Sequence, residues 1–141
     1  MKVVFDTDVV VAGIVSPSGA SRRWLRAALQ GEVRPVISVP MVLEYEMVLK
    51  RPEIVARSRL RAEDIDRLLD TIVAAAELVD IAYLWRPFLR DPADEMVLEA
   101  AVNGAADWLI TFNLRDFSAA KQFGINVSRP GAAWRQWKGM S

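Results

Sequence analysis

The sequence contains no cysteine and no histidine among its 141 residues. Without cysteine it has no disulfide bond, thiolate metal site or cysteine nucleophile. Without histidine it lacks Ser-His-Asp and Cys-His machinery, histidine zinc sites and the usual general base at neutral pH. Any acid–base or metal chemistry must therefore use carboxylates, which favour hard cations such as Mg²⁺ or Mn²⁺.

Net charge and long apolar runs are absent as well. The 18 basic side chains balance 18 acidic ones, so no overall field draws the chain onto nucleic acid. No apolar run approaches the roughly 20 residues of a membrane span, and the N-terminus lacks the features of a signal peptide. We therefore expect a soluble, cytoplasmic protein with one domain and one core.

The first feature that the sequence does contain is an apolar run that ends in acids. Residues 3–5 lead directly into Asp6, Thr7 and Asp8. In open parallel sheets, ligands bind outside the carboxyl ends of the strands, so these carboxylates can line a site. The two acids can equally well end a strand and solvate a turn. Only the rest of the chain decides between these readings.

The remaining chain alternates between short apolar strands and helical patterns. Further strands are predicted at 36–39, 78–81, 108–111 and 125–127. Helices are predicted from Ser18 or Ser21 to Gly31, at 41–50, after Pro52, at 62–77, at 91–103, after Asp116 and at 132–138. Because the strands are continuously apolar, we expect a parallel sheet covered on both faces, in a single three-layer α/β domain spanning 1–141.

Further carboxylates follow the other predicted strands and should lie at the same edge of the sheet. Glu44 lies in the helix after the second strand. Asp91 and Asp94 start the helix after the third strand, and Asp116 follows the fourth. Carboxylates that converge in this way repel one another unless a cation lies between them. Structural explanations remain open: Asp91 can cap its helix, and an arginine can pair with Glu44.

Four segments of the chain resemble those of PIN-domain nucleases, and in particular the VapC-related toxins of bacterial toxin–antitoxin systems. They are Phe-Asp-Thr-Asp at 5–8, Leu-Glu-Tyr at 43–45, Arg-Asp-Pro-Ala-Asp-Glu-Met-Val-Leu at 90–98 and Gly-Ala-Ala-Asp-Trp-Leu-Ile-Thr-Phe-Asn-Leu-Arg-Asp-Phe at 104–117. Each segment alone is weak evidence, but the four in this order are specific. The resemblance implies a PIN-like fold with a five-stranded parallel sheet in the order 3-2-1-4-5, and a ribonuclease that depends on Mg²⁺ or Mn²⁺.

The resemblance also implies a set of catalytic and metal-binding residues. Asp6, Glu44 and Asp94 match the core acidic set of the family. Asp116 is expected to supply the fourth acid, and Asn113 aligns nearly as well with that position, so both stay open. In this reading the acids bind the metal, which activates water for attack on an RNA phosphodiester.

Other residues near these segments are candidates for supporting roles. Asp8 stands where family members usually carry Asn, so an extra negative charge lies beside the site, and both Asp8 and Asp91 are additional metal-ligand candidates. Thr7 and Thr111 are expected to position water or a ligand by hydrogen bonding. A basic group on the helix after the first loop is expected to guide the RNA backbone and consists of Arg22, Arg23 and Arg26.

The toxin reading implies partners, and two rival functions remain. The expected partners are a small antitoxin that covers the acidic edge and a second copy in a homodimer, in which Trp134 and Trp137 take part unless they pack into the core. A haloacid-dehalogenase-like phosphatase also opens on Asp-x-Asp, but its Thr/Ser and Lys motifs precede its second acidic pair, whereas Thr111 and Lys121 follow it here. The other rival is a non-catalytic metal- or RNA-binding interaction domain.

Overall fold

The chain is described by a computed structural model that covers residues 1–80, 89 and 91–140. Its five strands are β1 (Lys2–Phe5), β2 (Arg34–Ile37), β3 (Glu77–Leu78), β4 (Trp108–Ile110) and β5 (Asn126–Ser128). Its helices are α1 (Thr7–Val15), α2 (Ala20–Leu29), α3 (Val39–Leu49), α4 (Pro52–Ser58), α5 (Ala62–Ala75), α6 (Pro92–Asn103) and α7 (Pro130–Gly139), with a 3₁₀ helix at Ser118–Phe123.

All five strands run parallel, in the order β3-β2-β1-β4-β5. Strand β1 lies at the centre, where Val3 pairs with Pro35 on one side and Val4 pairs with Leu109 on the other. Its residues Val3, Val4 and Phe5 are buried, as expected of a strand with helices on both faces. The prediction of a parallel α/β sheet in the order 3-2-1-4-5 is therefore confirmed.

Helix α1 is the main element that the sequence patterns did not predict. Its residues Thr7–Val15 are rich in valine and almost wholly apolar, so they lack the polar face by which an amphipathic helix is recognised. β-Branched residues also favour strands over helices. The helix forms because tertiary packing outweighs these preferences: Val9, Val10 and Ile14 are buried, and Gly13 lets the Leu25 side chain of α2 approach closely.

The remaining predicted elements are present with shifted ends. The second, fourth and fifth strands differ from the predicted ranges by one or two residues at either end. Strand β3 comprises only Glu77–Leu78; of its predicted range 78–81, Ile81 lies outside the described residues. Helix α7 runs over Pro130–Gly139, longer than predicted, because Pro130 suits its first turn.

Helix α7 is fixed by a cluster of three tryptophans, in which the partly buried Trp134 and Trp137 pack against Trp24 of the core. The Trp24 ring of α2 stacks on Trp137 at a centroid distance of 5.2 Å and meets Trp134 edge-on at 5.2 Å. The Trp24 indole N–H donates to the Pro130 carbonyl at 2.9 Å. Trp134 and Trp137 therefore contribute to packing of the terminal helix, the structural alternative that the sequence had left open for them. In the described part of the chain, no helix has the length and apolarity needed to cross a membrane.

Candidate metal centre at the carboxyl edge of the sheet

Asp6 occupies the carboxyl end of the central strand β1. It is the N-cap of α1, and only 6% of its surface is exposed. Its Oδ1 accepts a hydrogen bond from the Thr7 backbone N–H at 2.8 Å, and its own backbone N–H donates to the Ile110 carbonyl at 3.0 Å. The cap and the sheet contact together fix the position of this carboxylate.

Thr111 connects strand β4 to the second oxygen of Asp6. The Thr111 hydroxyl is fully buried; it donates to Asp6 Oδ2 at 2.7 Å and accepts the Asn113 backbone N–H at 2.9 Å. It thus orients the Asp6 carboxylate and holds the loop after β4 at the same time. Thr7 reaches Asp6 through its backbone N–H, as the first residue of α1.

Asp8 connects the first turn of α1 to the same loop. Its Oδ2 accepts the Phe112 backbone N–H at 3.2 Å and lies 3.4 Å from Asn113 Nδ2. Its Oδ1 is buried and has no hydrogen-bond donor among the described residues. A buried carboxylate oxygen without a donor is costly unless a cation meets it. Asp8 therefore holds the loop after β4 through one oxygen, and its other oxygen lies buried beside Asp6 without a donor among the described residues.

Three further acids line a polar cleft of about 610 Å³ beside this network. Asp91 is the N-cap of α6, where its Oδ1 accepts the Ala93 N–H at 2.9 Å, and Asp94 lies in the first turn. Asp116 faces them from the loop after β4, where its backbone N–H donates to the Asn113 carbonyl at 3.1 Å. Asp91 thus caps α6 and also lines the cleft.

The charge state of Asp6 reflects its burial and its acidic neighbour. Burial and, after it, the negative charge of Asp8 together raise the pKa of Asp6 from 3.8 to about 6. The hydrogen bonds from the Thr111 hydroxyl and the Thr7 N–H oppose this rise, because they stabilise the ionised form. Burial is also the main cause that raises the pKa of Asp8.

Asp94 connects the cleft electrostatically to strand β1. Burial is the main cause that raises the pKa of Asp94 from 3.8 to about 6, followed by the charges of Asp6, Asp91 and Asp116. The charge of Asp94 in turn contributes to the raised pKa of Asp8. Carboxylates from α1, α6 and the loop after β4 therefore interact electrostatically, although they are far apart in sequence.

The chemistry of these donors fits a hard divalent cation. All are carboxylate oxygens, and the ion would lower the cost of keeping several of them ionised at neutral pH. In the described ranges no three acidic side chains are gathered closely enough to hold one ion as they stand.

Two predicted groups form no hydrogen bond or ion pair with this network among the described residues. Glu44 is half-buried on α3, and no hydrogen bond or ion pair joins it to another described residue, so the arginine partner considered for it is not found there. Arg22 donates to the carbonyls of Gly13 and Ile14 at the C-terminal end of α1, opposite Asp6. Arg23 is exposed on α2. Within the basic group, Arg22 thus supports packing at the far end of α1.

Tyr45 is a residue of the site that the sequence patterns did not single out. It is buried on α3, and its hydroxyl donates to the carbonyl of Phe5, the last residue of β1. Burial raises the pKa of Tyr45 above its usual range, and the charges of Asp6 and Asp8 add to the shift. A neutral tyrosine therefore supports the strand end that carries Asp6. Its only signal in the sequence is a tyrosine on a predicted buried face, since buried hydroxyls need a partner.

Fold and site together define an open parallel α/β domain whose carboxylates converge at the carboxyl edge of the sheet. The PIN domain family matches residues 2–115, which is most of the chain. The chain therefore belongs to the PIN domain family, whose members are generally nucleases.

A solved structure and the curated proteins were also compared with the chain. The VapBC2 structure from Rickettsia felis, described as bound to a DNA fragment from their promoter, is similar with a TM-score of 0.63. The similarity covers 92% of this chain and 98% of that chain at 15% sequence identity, so it concerns the fold. No curated protein matches the chain.

Proposed function

We propose that this protein is a metal-dependent endoribonuclease and the toxin of a toxin–antitoxin pair. The observation that carries the proposal is the electrostatic coupling of Asp6, Asp94 and Asp116 at the carboxyl edge of a PIN-domain sheet. A divalent cation would offset the repulsion between acids in this arrangement. A cation bound in this way can catalyse the hydrolysis of phosphodiesters.

In this mechanism Asp6, Asp94 and Asp116 would hold Mg²⁺ or Mn²⁺, and Glu44 of α3 is the candidate for the fourth ligand. When bound there, such an ion would supply the activation of water and the neutralisation of charge on the scissile phosphate and the leaving oxygen. Thr111 holds the Asp6 carboxylate in one orientation through its 2.7 Å hydrogen bond. Both Asp8 and Asn113 are further candidates for contact with the metal.

Loss of one acid should abolish cleavage without unfolding the protein. Purified protein should cleave RNA with Mg²⁺ or Mn²⁺, stop with EDTA and recover when metal is restored. Asp94→Asn removes a charge next to Asp6 and should lower kcat at least about 100-fold, since the metal site loses a ligand. Asp70→Asn, on the exposed face of α5, is the matched control and should cleave normally. An unchanged rate for Asp94→Asn would contradict the assignment, and cleavage of DNA but not RNA would contradict the substrate.

The same preparation separates the rival functions. A haloacid-dehalogenase-like phosphatase forms a covalent phospho-aspartate, whereas hydrolysis by a bound metal forms none. We expect no phosphate to be trapped on Asp6 during turnover of a phosphomonoester. An interaction domain without catalysis would bind RNA or metal but leave the RNA intact at all metal concentrations.

The partner proposal is a small antitoxin, because the similar solved structure is a VapBC2 complex.

A second copy is also proposed, on the basis of an apolar stripe on α3. Val39, Leu43 and Met47 recur every four residues along this helix and are 63%, 62% and 55% exposed. Exposed apolar stripes of this kind favour self-association. Leu43→Glu should shift the protein from dimer to monomer in sedimentation experiments, whereas Met140→Glu, elsewhere on the surface, should not.

A further inference from the structure

The cleft beside the acids contains one basic side chain that neither the proposed metal site nor the fold uses. Arg115 lies on the loop after β4 and lines the same cleft as Asp91, Asp94 and Asp116. Among the described residues that line this cleft, it is the one that carries a positive charge. We infer that Arg115 binds a backbone phosphate of the nucleic acid, next to the phosphodiester that is cut; this inference rests on the proposed function.

The guanidinium of Arg115 is available for a ligand. It is exposed, and no ion pair within 4.0 Å joins it to any described acid, although three acids share its cleft. An exposed arginine surrounded by carboxylates would ordinarily pair with one of them. Arginine also presents a planar set of donors that fits phosphate oxygens two at a time.

The backbone of Arg115 is held more firmly than its side chain. On one side, the Asn113 N–H donates to the Thr111 hydroxyl at 2.9 Å. On the other side, the ring of Phe117 is fully buried, and the Ser118 N–H donates to the Arg115 carbonyl at 3.4 Å. The loop therefore presents the guanidinium from a defined place, so its backbone does not have to be ordered when a ligand binds.

A nucleic acid that approaches this edge needs such a contact. The cleft presents the negative charges of Asp91, Asp94 and Asp116, which repel phosphates wherever no cation offsets them. Of the arginines that the sequence suggested for this task, Arg22 donates to carbonyls at the far end of α1, and Arg23 and Arg26 are exposed on α2. Arg115 is thus placed to offset the repulsion at the site itself.

The inference is tested by binding of single-stranded RNA, measured without cleavage. Asp94→Asn protein serves as the parent, and Arg115→Ala, Arg115→Lys and the control Arg57→Ala are each added to it. Arg57 is an exposed arginine on α4. We expect Arg115→Ala to weaken binding about tenfold or more and to reduce the slope of log K against log salt by about 1. Arg115→Lys should retain part of the affinity, and Arg57→Ala should retain nearly all of it.

Cleavage measurements with otherwise native protein complete the test. Arg115→Ala should raise KM about as much as it weakens binding and leave kcat within a few-fold of the native value. Unchanged affinity and salt slope would overturn the inference, and so would a large fall in kcat with unchanged KM. Failure of native protein to cleave RNA would instead reject the proposed nuclease, while the binding comparison would still decide the role of Arg115. Thermal unfolding of each variant shows whether it is folded, and Arg115→Lys supplies the comparison if Arg115→Ala is not.

Discussion

The metal-free protein should become more stable at alkaline pH when Asp6 is replaced by asparagine. The pKa of Asp6 is raised from 3.8 to about 6 by burial and by Asp8, so the folded chain holds this proton more tightly than the unfolded chain does. The stability that comes from the bound proton is complete below about pH 4 and is lost as the pH rises through 6. Above pH 7 the ionised Asp6 carboxylate therefore opposes folding, as long as no cation is bound.

The size of the effect follows from the pKa difference. About two pKa units at 1.36 kcal/mol each correspond to about 3 kcal/mol of unfolding free energy. Asparagine resembles the protonated acid and keeps an oxygen for the Thr7 N–H, which Asp6 now accepts at 2.8 Å. The Thr111 hydroxyl loses its charged acceptor, so we expect a net gain of about 2 kcal/mol at pH 8 and little change at pH 4. The midpoint of thermal unfolding at pH 8 should rise by about 7 °C.

Urea unfolding in EDTA at both pH values measures this gain. Asp70→Asn, an exposed acid on α5, removes the same charge and should leave the difference between the two pH values unchanged. Saturating Mg²⁺ should stabilise the native protein at pH 8, by about 2.7 kcal/mol at 100 times the dissociation constant, and stabilise Asp6→Asn much less. If Asp6→Asn in EDTA proved no more stable than the native protein at pH 8, the account of a strained acidic site would be wrong.

Three further substitutions test the contacts around Asp6. Thr111→Val removes the donor to Asp6 and the acceptor of the Asn113 N–H, so the free energy of unfolding in urea should fall by about 2–3 kcal/mol at pH 8. Asp8→Asn keeps an acceptor for the Phe112 N–H but removes the negative charge beside Asp6. The free energy of unfolding should therefore vary less between pH 4 and pH 8 than in the native protein. An unchanged pH profile would argue against the coupling of Asp8 to Asp6. Tyr45→Phe deprives the Phe5 carbonyl of a buried donor and should cost about 1 kcal/mol in the same assay, with a smaller cost indicating that another group replaces the hydroxyl.

Much of the fold could be predicted because its signals are local. Continuously apolar strands separated by helices indicate a parallel sheet, and prolines and glycines mark where helices begin and end. Helix α1 could not be predicted in this way, because an almost wholly apolar helix shows no periodicity. Its formation depends on burial of Val9, Val10 and Ile14 against other elements.

Part of the candidate site could also be predicted. The absence of histidine and cysteine restricted any metal chemistry to carboxylates, and the placement of acids after successive strands put Asp6, Asp94 and Asp116 at one edge. Spacing could not show whether Glu44 forms a hydrogen bond or an ion pair with another residue, and none joins it to a described residue; the direction of a side chain on a helix face depends on how the whole helix packs. For the same reason, the contact of Tyr45 with the end of β1 could not be predicted, although Tyr45 directly follows Glu44 on α3.

The sequence by itself determined which chemistry this chain can support and which edge of the sheet would carry it, because residue types and apolar patterns are local properties. Only the tertiary structure decided how the acids are held. Thr111 donates to Asp6 across 105 residues, and the Phe112 N–H donates to Asp8 across 104. Arg115, on the loop after β4, lines the same cleft as Asp91 and Asp94 at the start of α6. Contacts between such distant segments depend on strand order and packing, which no local pattern contains.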